Sequence, residues 1–199
     1  MRELTYYIAV TLDGFIAGPA DEVDFYPVTP AFAETLGTEL ADVQPYHVRA
    51  DRGGADAPLT RFDTVVMGRR TYEPALQFGI TDPYAHLRTL VFSSTLDDPG
   101  EPNVEVVRTD PVARVRELKA EDGLGIYLAG GAGLAGALLD EIDRLIVKKY
   151  PVIAGEGIPM ARHPFSPTLF DLEEARPFDN GCVVLTYARH QPSGVSSAR

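Results

Sequence analysis

The sequence predicts a three-layer α/β fold, with a mixed, mostly parallel sheet and a C-terminal antiparallel hairpin. Three observations predict it. Short apolar, β-branched runs alternate with helical patterns over most of the 199 residues. Two of those runs end in glycine before a helix, at Val65-Val66-Met67-Gly68 and at Leu128-Ala129-Gly130-Gly131. Two late strands, about Thr168–Arg176 and Gly181–Ala188, flank the turn Phe178-Asp179-Asn180-Gly181.

In order, Leu4 to Val10 is a nearly continuous apolar run and reads as a strand buried on both faces. Thr11-Leu12-Asp13-Gly14 stops it, and Gly18-Pro19-Ala20-Asp21 is a loop. Thr29-Pro30 is an N-cap followed by proline at the first helical position, opening a helix to about Asp42. Residues 43 to 60, with Pro45, Gly53, Gly54 and Pro58, read as an irregular surface loop of the kind that can serve as a mobile lid. Strand Thr64–Met67 leads into a helix from about Arg70, with Pro74 in its first turn. Strands follow at Arg88–Phe92 and Val104–Val107, then a helix from Asp110-Pro111 to about Ala120. Strand Gly125–Ala129, a short helix to Leu139 and a long strand Arg144–Ile153 complete the alternation. The expected organisation is one domain over residues 1–189, with a disordered tail over 190–199.

A net charge of −11 and a pI near 4.7 argue against generic nucleic-acid binding and against a basic membrane-docking face. The arginine pair at Gly68-Arg69-Arg70-Thr71 is a local exception. A strand there delivers two cationic forks and free N–H groups to a helix start, a place suited to phosphate. The plainer reading is a solvated helix start, although cations there oppose the helix dipole unless an anion is bound. Cys182 is the only cysteine, which excludes an intrachain disulfide and fits a reducing cytoplasm. It opens a strand and reads as a small hydrophobe. His47, His86, His163 and His190 have no ligand spacing, so no metal is expected. No signal-like or membrane-spanning stretch is present.

Gly131-Ala132-Gly133-Leu134-Ala135-Gly136 matches G-x-G-x-x-G letter for letter. The helix that follows is too short for the dinucleotide fingerprint, and no acid stands at the end of the next strand. Two readings stay open: close packing by small residues, and a glycine pair that lets a cofactor lie against the backbone.

Taken in order, four segments resemble the dihydrofolate reductase-like superfamily. They are Ala9 to Ala17, Val66 to Glu73, Leu128 to Gly131, and Leu139 to Leu145 followed by Pro151 to Gly157. The nearest branch is the C-terminal reductase domain of the bacterial riboflavin-biosynthesis deaminase/reductase. That resemblance implies NADPH as hydride donor at the C-terminal edge of the sheet. It implies cofactor phosphates at Gly68, Arg69, Arg70 and Thr71, and the adenosine 2′-phosphate and ribose near Ser93, Ser94 and Thr95. Gly130 and Gly131, with a cis peptide between them, would approach the pyrophosphate and nicotinamide. Ile16 and Ala17 would flank the nicotinamide ring. The serine pair also reads as a plain turn.

Folate reduction in this superfamily uses an acid after a Pro-Ala pair, where this chain has Pro30-Ala31-Phe32. Phe15, Phe25 and Phe32 (with Tyr26) then suggest an aromatic wall for a flat substrate, or ordinary core packing. Asp13, Asp24 and Glu156 are the candidate proton donors, Asp13 also as a substrate contact or a turn residue. The expectation is an NADPH-dependent reductase of a small heteroaromatic or conjugated C=N or C=O substrate. The partners expected are that small molecule and, as an open option, a second copy in a homodimer. The alternative is a non-catalytic nucleotide-binding or regulatory module.

Overall fold

The structure is a computed structural model and describes residues 1–191. The tail expected to be disordered lies, from residue 192 onward, outside the described residues. Strands β1 (Leu4–Val10), β2 (Phe15–Ala17), β3 (Phe62–Gly68), β4 (Arg88–Phe92) and β5 (Val104–Val107) come first in the chain. They are followed by β6 (Gly125–Gly130), β7 (Arg144–Lys149), β8 (Ile158–Pro159), β9 (Phe170–Pro177) and β10 (Val183–Arg189). The helices are α1 (Pro30–Glu39), α2 (Tyr46–Asp51), α3 (Arg69–Leu76), α4 (Pro111–Ala120) and α5 (Ala132–Ala137).

The main sheet runs β5-β4-β3-β6-β1-β7-β10-β9, with β2 and β8 forming a separate antiparallel pair. Within it β10 alone points opposite to the other seven strands. Helices cover both faces, which gives the three layers. Phe32 and Leu36 of α1 and Tyr72 of α3 pack on one face with Tyr7, Val65 and Tyr127. Val115 and Leu118 of α4 and Ala135 and Leu138 of α5 pack on the other with Leu4, Tyr6, Val66 and Leu128. Consecutive residues of β1 and β3 thus feed opposite cores, which is why these strands read as unbroken apolar runs. The final strand, β9, leaves one edge unpaired and carries the exposed Asp171, Glu173 and Glu174.

Several boundaries differ from the sequence expectation. Thr29 caps α1 as expected, its hydroxyl accepting from Phe32 N at 3.4 Å, but the helix ends at Glu39 and not at Asp42. A 3-10 turn, Ala41–Val43, then buries Asp42. The segment expected to be a mobile loop contains α2 and is pinned from inside. Asp42 Oδ2 accepts from the backbone N–H of Thr60 (2.9 Å), Arg61 (2.7 Å) and Phe62 (3.1 Å). Its Oδ1 faces Arg49 Nη1 at 3.4 Å, with both side chains 2% exposed. Pro74 lies in the second turn of α3, where its missing N–H leaves the Arg70 carbonyl without an i−4 donor. The strand expected to reach Ile153 stops at Lys149, just before Tyr150-Pro151, because proline cannot donate to a ladder. The closing hairpin turns through Phe178–Gly181, with Gly181 N donating to Phe178 O at 3.0 Å and Gly181 at φ +78.

One partly buried cation has no partner of opposite charge among the described residues. Half-buried Lys148 on β7 holds its Nζ 4.3 Å from the centre of the Tyr7 ring and makes no ion pair among the described residues. Loss of hydration pulls its pKa down to about 8, only weakly opposed by Cys182. The folded state therefore sheds this proton earlier than the unfolded chain, so its penalty is full below pH 8 and fades toward pH 10.5. Lys148→Met should raise stability at neutral pH by about 1–2 kcal/mol. The gain over wild type should shrink above pH 8 in denaturant unfolding, and a destabilised variant would contradict the assignment. Cys182 itself is fully buried, and burial pushes its thiol up to about 11, the behaviour of a small hydrophobe.

Candidate active site

Strand ends β3 and β6 are neighbours, with Met67 in register with Gly130. From β3 the chain passes through α3 on one face of the sheet, and from β6 through α5 on the other. The two helices diverge there, and a crevice opens at the carboxyl ends of the strands, where open α/β sheets bind ligands. The crevice is a cleft of about 540 Å³, within the range of small-molecule sites.

Its floor is largely main chain. The Gly130–Gly131 peptide is cis, and a Cβ on Gly68 would stand 3.7 Å from Gly131 N. A Cβ on Gly131 would approach Thr71 Oγ1 at 3.5 Å, and one on Gly133 would meet nothing within 4 Å. Side chains added here would project into the cleft. The three glycines of the G-x-G-x-x-G match divide their work accordingly. Gly131 and Gly133 line the cleft, while Gly136 packs away from it, where a Cβ would collide with the Arg162 carbonyl. Close packing by a small residue holds for Gly136, and Gly131 and Gly133 leave open main chain along the cleft.

Three arginines line the cleft, with Asp21 as the one carboxylate among its lining residues. Arg69 donates from Nε to Glu73 Oε1 and from Nη1 to Thr95 Oγ1, both at 2.5 Å. Arg70 reaches Asp21 at 2.5 Å. Arg162 comes from the segment after β8 and has no side-chain partner among the described residues. Ile8, Ile16, Ala17, Val23, Leu134 and Ile158 supply an apolar wall. β2 and β8 bring Ala17 beside Ile158.

The cleft gathers Ile16, Ala17, Gly68, Arg69, Arg70, Thr71 and Gly131 of the sequence candidates, with Gly130 directly beneath. Thr95 touches it through Arg69. Ser93 and Ser94 do not line it: Ser93 Oγ accepts from the N–H groups of Thr95 (3.2 Å) and Leu96 (3.0 Å), a turn bond, and Ser94 is exposed beside it. Phe15, Phe25 and Phe32 do not line it either. Phe32 is 3% exposed and edge-on to Tyr150 and Phe178, while Phe25 stacks on Tyr26 at 4.6 Å. The Phe15 carbonyl oxygen accepts from the Tyr26 hydroxyl at 3.0 Å.

The candidate acids also lie outside the cleft lining. Asp24 and Glu156 are exposed. Asp13 accepts from Thr11 Oγ1 (2.6 Å), Ala154 N (3.1 Å) and Gly155 N (2.7 Å). The Thr11 hydroxyl above all, with those two N–H groups outweighing a partial loss of hydration, draws its carboxyl down to about 2. Asp13 is therefore ionised at neutral pH and ties the 153–157 loop to the β1–β2 turn. Sequence reading missed Asp21, Val23, Ile158 and Arg162. Among the described residues no group of three or more His, Cys, Asp or Glu is placed to hold a metal ion. No helix among them is long and apolar enough to cross a membrane.

The eight-stranded mixed sheet with its crevice at the carboxyl ends of the strands has the dihydrofolate reductase-like fold. Residues 2–184 match the family described as the RibD C-terminal domain, and the chain belongs to that family. It is similar to the uncharacterised protein YwjB of Bacillus subtilis (strain 168), 30% identical over 190 residues, covering 94% of this chain and 98% of the relative. The uncharacterised YyaP of the same organism is 25% identical, with 94% of each chain covered. Among solved structures, a putative riboflavin biosynthesis protein from Shewanella sp. PV-4 aligns with a TM-score of 0.73 at 24% identity, over 95% of this chain and 99% of its own. The Thermotoga maritima diaminohydroxyphosphoribosylaminopyrimidine deaminase/5-amino-6-(5-phosphoribosylamino)uracil reductase aligns at 0.63 and 15% identity, over 95% of this chain and 57% of its own. Enterococcus faecalis dihydrofolate reductase, complexed with NADP(H) and RAB-propyl, aligns at 0.63 and 17%, over 95% and 97%.

Proposed function

We propose that this chain is an NADPH-dependent reductase of a small heteroaromatic or conjugated C=N or C=O substrate, in the class of riboflavin precursors and pterins. The observation that carries the reading is the convergence of Arg69, Arg70 and Arg162 on one glycine-floored cleft in a chain of net charge −11. Such a cleft fits an elongated polyanion with a flat apolar end. Bound there, the cofactor would supply the hydride; the chain supplies position. Arg69 and Thr95 would hold the 2′-phosphate end, Arg70 and Thr71 a phosphate at the start of α3, and Ile16 and Ala17 the face of the nicotinamide. The apolar wall would keep water from the reacting face. Dihydrofolate is disfavoured as substrate, because Phe32 stands where the superfamily's acid would be and is built into the core.

One observation favours the second reading, a nucleotide-binding module without turnover. Among the described residues the one carboxylate lining the cleft, Asp21, is paired to Arg70. The two readings separate in one experiment. A saturating cofactor at 100 times its Kd should add about 2.7 kcal/mol of stability, readily seen as a thermal shift. Oxidation of NADPH is then followed across pterins, flavin precursors and imines. Turnover of any of these supports the reductase; a shift with no turnover across the panel favours the module, and no shift removes the cofactor reading.

A further inference from the structure

We propose that Arg162 clamps the pyrophosphate bridge of the dinucleotide, from the wall opposite Arg69 and Arg70; the inference rests on the cofactor reading above. The three cleft arginines are not equivalent. Arg69 is drawn by Thr95 toward the end of β4, and Arg70 is neutralised by Asp21 on the rim. Arg162 is the one whose guanidinium has no hydrogen bond or ion pair among the described residues.

Its backbone, by contrast, is fixed. Arg162 N donates to Ala132 O at 2.9 Å, at the first residue of α5. Gly136, one turn on, has no Cβ, and only for that reason can the Arg162 carbonyl lie against α5. Upstream, Met160 N donates to Gly14 O at 3.1 Å, and Met160 O accepts from the Tyr6 hydroxyl at 2.8 Å. A firmly held main chain therefore presents an exposed, uncommitted cation at the edge of a cleft whose wall is mostly apolar.

Position along the cleft selects the group it would meet. The Arg69–Thr95 contact marks one end, and the apolar Ile16, Ala17 and Ile158 mark the other. In the sheet, β6 runs between β3–β4 and β1, the strands that lead to those two ends, and its end delivers Gly131, Ala132 and Gly133, with Arg162 anchored at Ala132. A doubly charged bridge between two nucleosides falls at that midpoint. A guanidinium fork suits its non-bridging oxygens.

The test is calorimetric titration of wild type, Arg162→Gln and Arg162→Lys with four probes: NADPH, NADH, adenosine 2′-phosphate and inorganic pyrophosphate. Arg162→Gln should weaken NADPH and NADH alike, by about tenfold or more, and weaken inorganic pyrophosphate. It should leave adenosine 2′-phosphate unchanged, and Arg162→Lys should recover part of the loss. The unfolding midpoint should not move, because no intramolecular bond of the guanidinium is removed. Unchanged dinucleotide affinity in Arg162→Gln overturns the proposal, as does a loss shared by adenosine 2′-phosphate. If wild type binds neither dinucleotide, the cofactor reading itself fails. Inorganic pyrophosphate then decides for Arg162: binding lost in the variant keeps the anion clamp, and equal or absent binding removes it.

Discussion

Asp42→Ala should cost about 3–5 kcal/mol of stability, because it strands a buried Arg49 charge and three backbone N–H groups at once. For a chain of this length the unfolding midpoint should fall by roughly 10 °C. Burial alone would push the Asp42 carboxyl up, but the N–H groups of Arg61, Thr60 and Phe62, aided by Arg49, hold it below the ordinary carboxylate range. Its contribution is thus full at neutral pH and fades as pH falls through that lowered pKa. Replacing both partners, as in Asp42→Ala with Arg49→Met, should cost less than Asp42→Ala alone, since no unpaired charge remains. The Asp42 staple sits at the amino end of β3, while the cleft is at its carboxyl end. Well below the midpoint, cofactor affinity in Asp42→Ala should match wild type. Equilibrium denaturation checks the cost; a loss under 1 kcal/mol would mean that the 43–60 segment is not held through this carboxylate.

Arg69→Gln should weaken NADPH by roughly 10–100-fold while leaving NADH within about threefold, the scale of a charge-assisted phosphate contact. The reason is positional. Arg69 is the cleft arginine tied to Thr95, beyond the end of β4, and so faces the adenosine end of the proposed ligand. Its bond to Glu73 is an exposed i,i+4 pair, which contributes only a few tenths of a kcal/mol and yields readily to a phosphate. Paired titrations with both nucleotides check the prediction. Equal losses would shift Arg69 to a phosphate common to the two, and no loss would remove it from the site.

Much of the cleft was legible because its chemistry is local in the chain. Gly68-Arg69-Arg70-Thr71 is a strand end, a glycine and a helix start in four consecutive residues, and Gly130-Gly131 repeats the pattern. Such signals need no knowledge of distant partners. Arg162 had no such signal. It reaches the cleft because a two-residue strand pairs with a three-residue strand far upstream, and because Gly136 lets the backbone in. Strands so short carry no periodicity to read. Helix α2 was hidden for a related reason: its six residues lie among prolines and glycines, and its anchor Arg49 looks like a surface charge until Asp42 is beside it. Phe32 illustrates the opposite limit. Its place at the start of α1 suggested a substrate wall or core, and only the positions of Tyr150 and Phe178 put it in the core.

The last strand of the sheet bears on how copies of this chain could meet. An unpaired strand is a template for another, and β9 is blunted by Asp171, Glu173 and Glu174 along its exposed length. Two molecules joined there would have to bring those carboxylates toward one another and lay open their present pairings, Glu173 with Arg144 and Asp171 with His190. The acidic β9 margin thus guards the sheet against growing by one more strand, a form of protection that acts on how the chain avoids its own copies and not on what it binds.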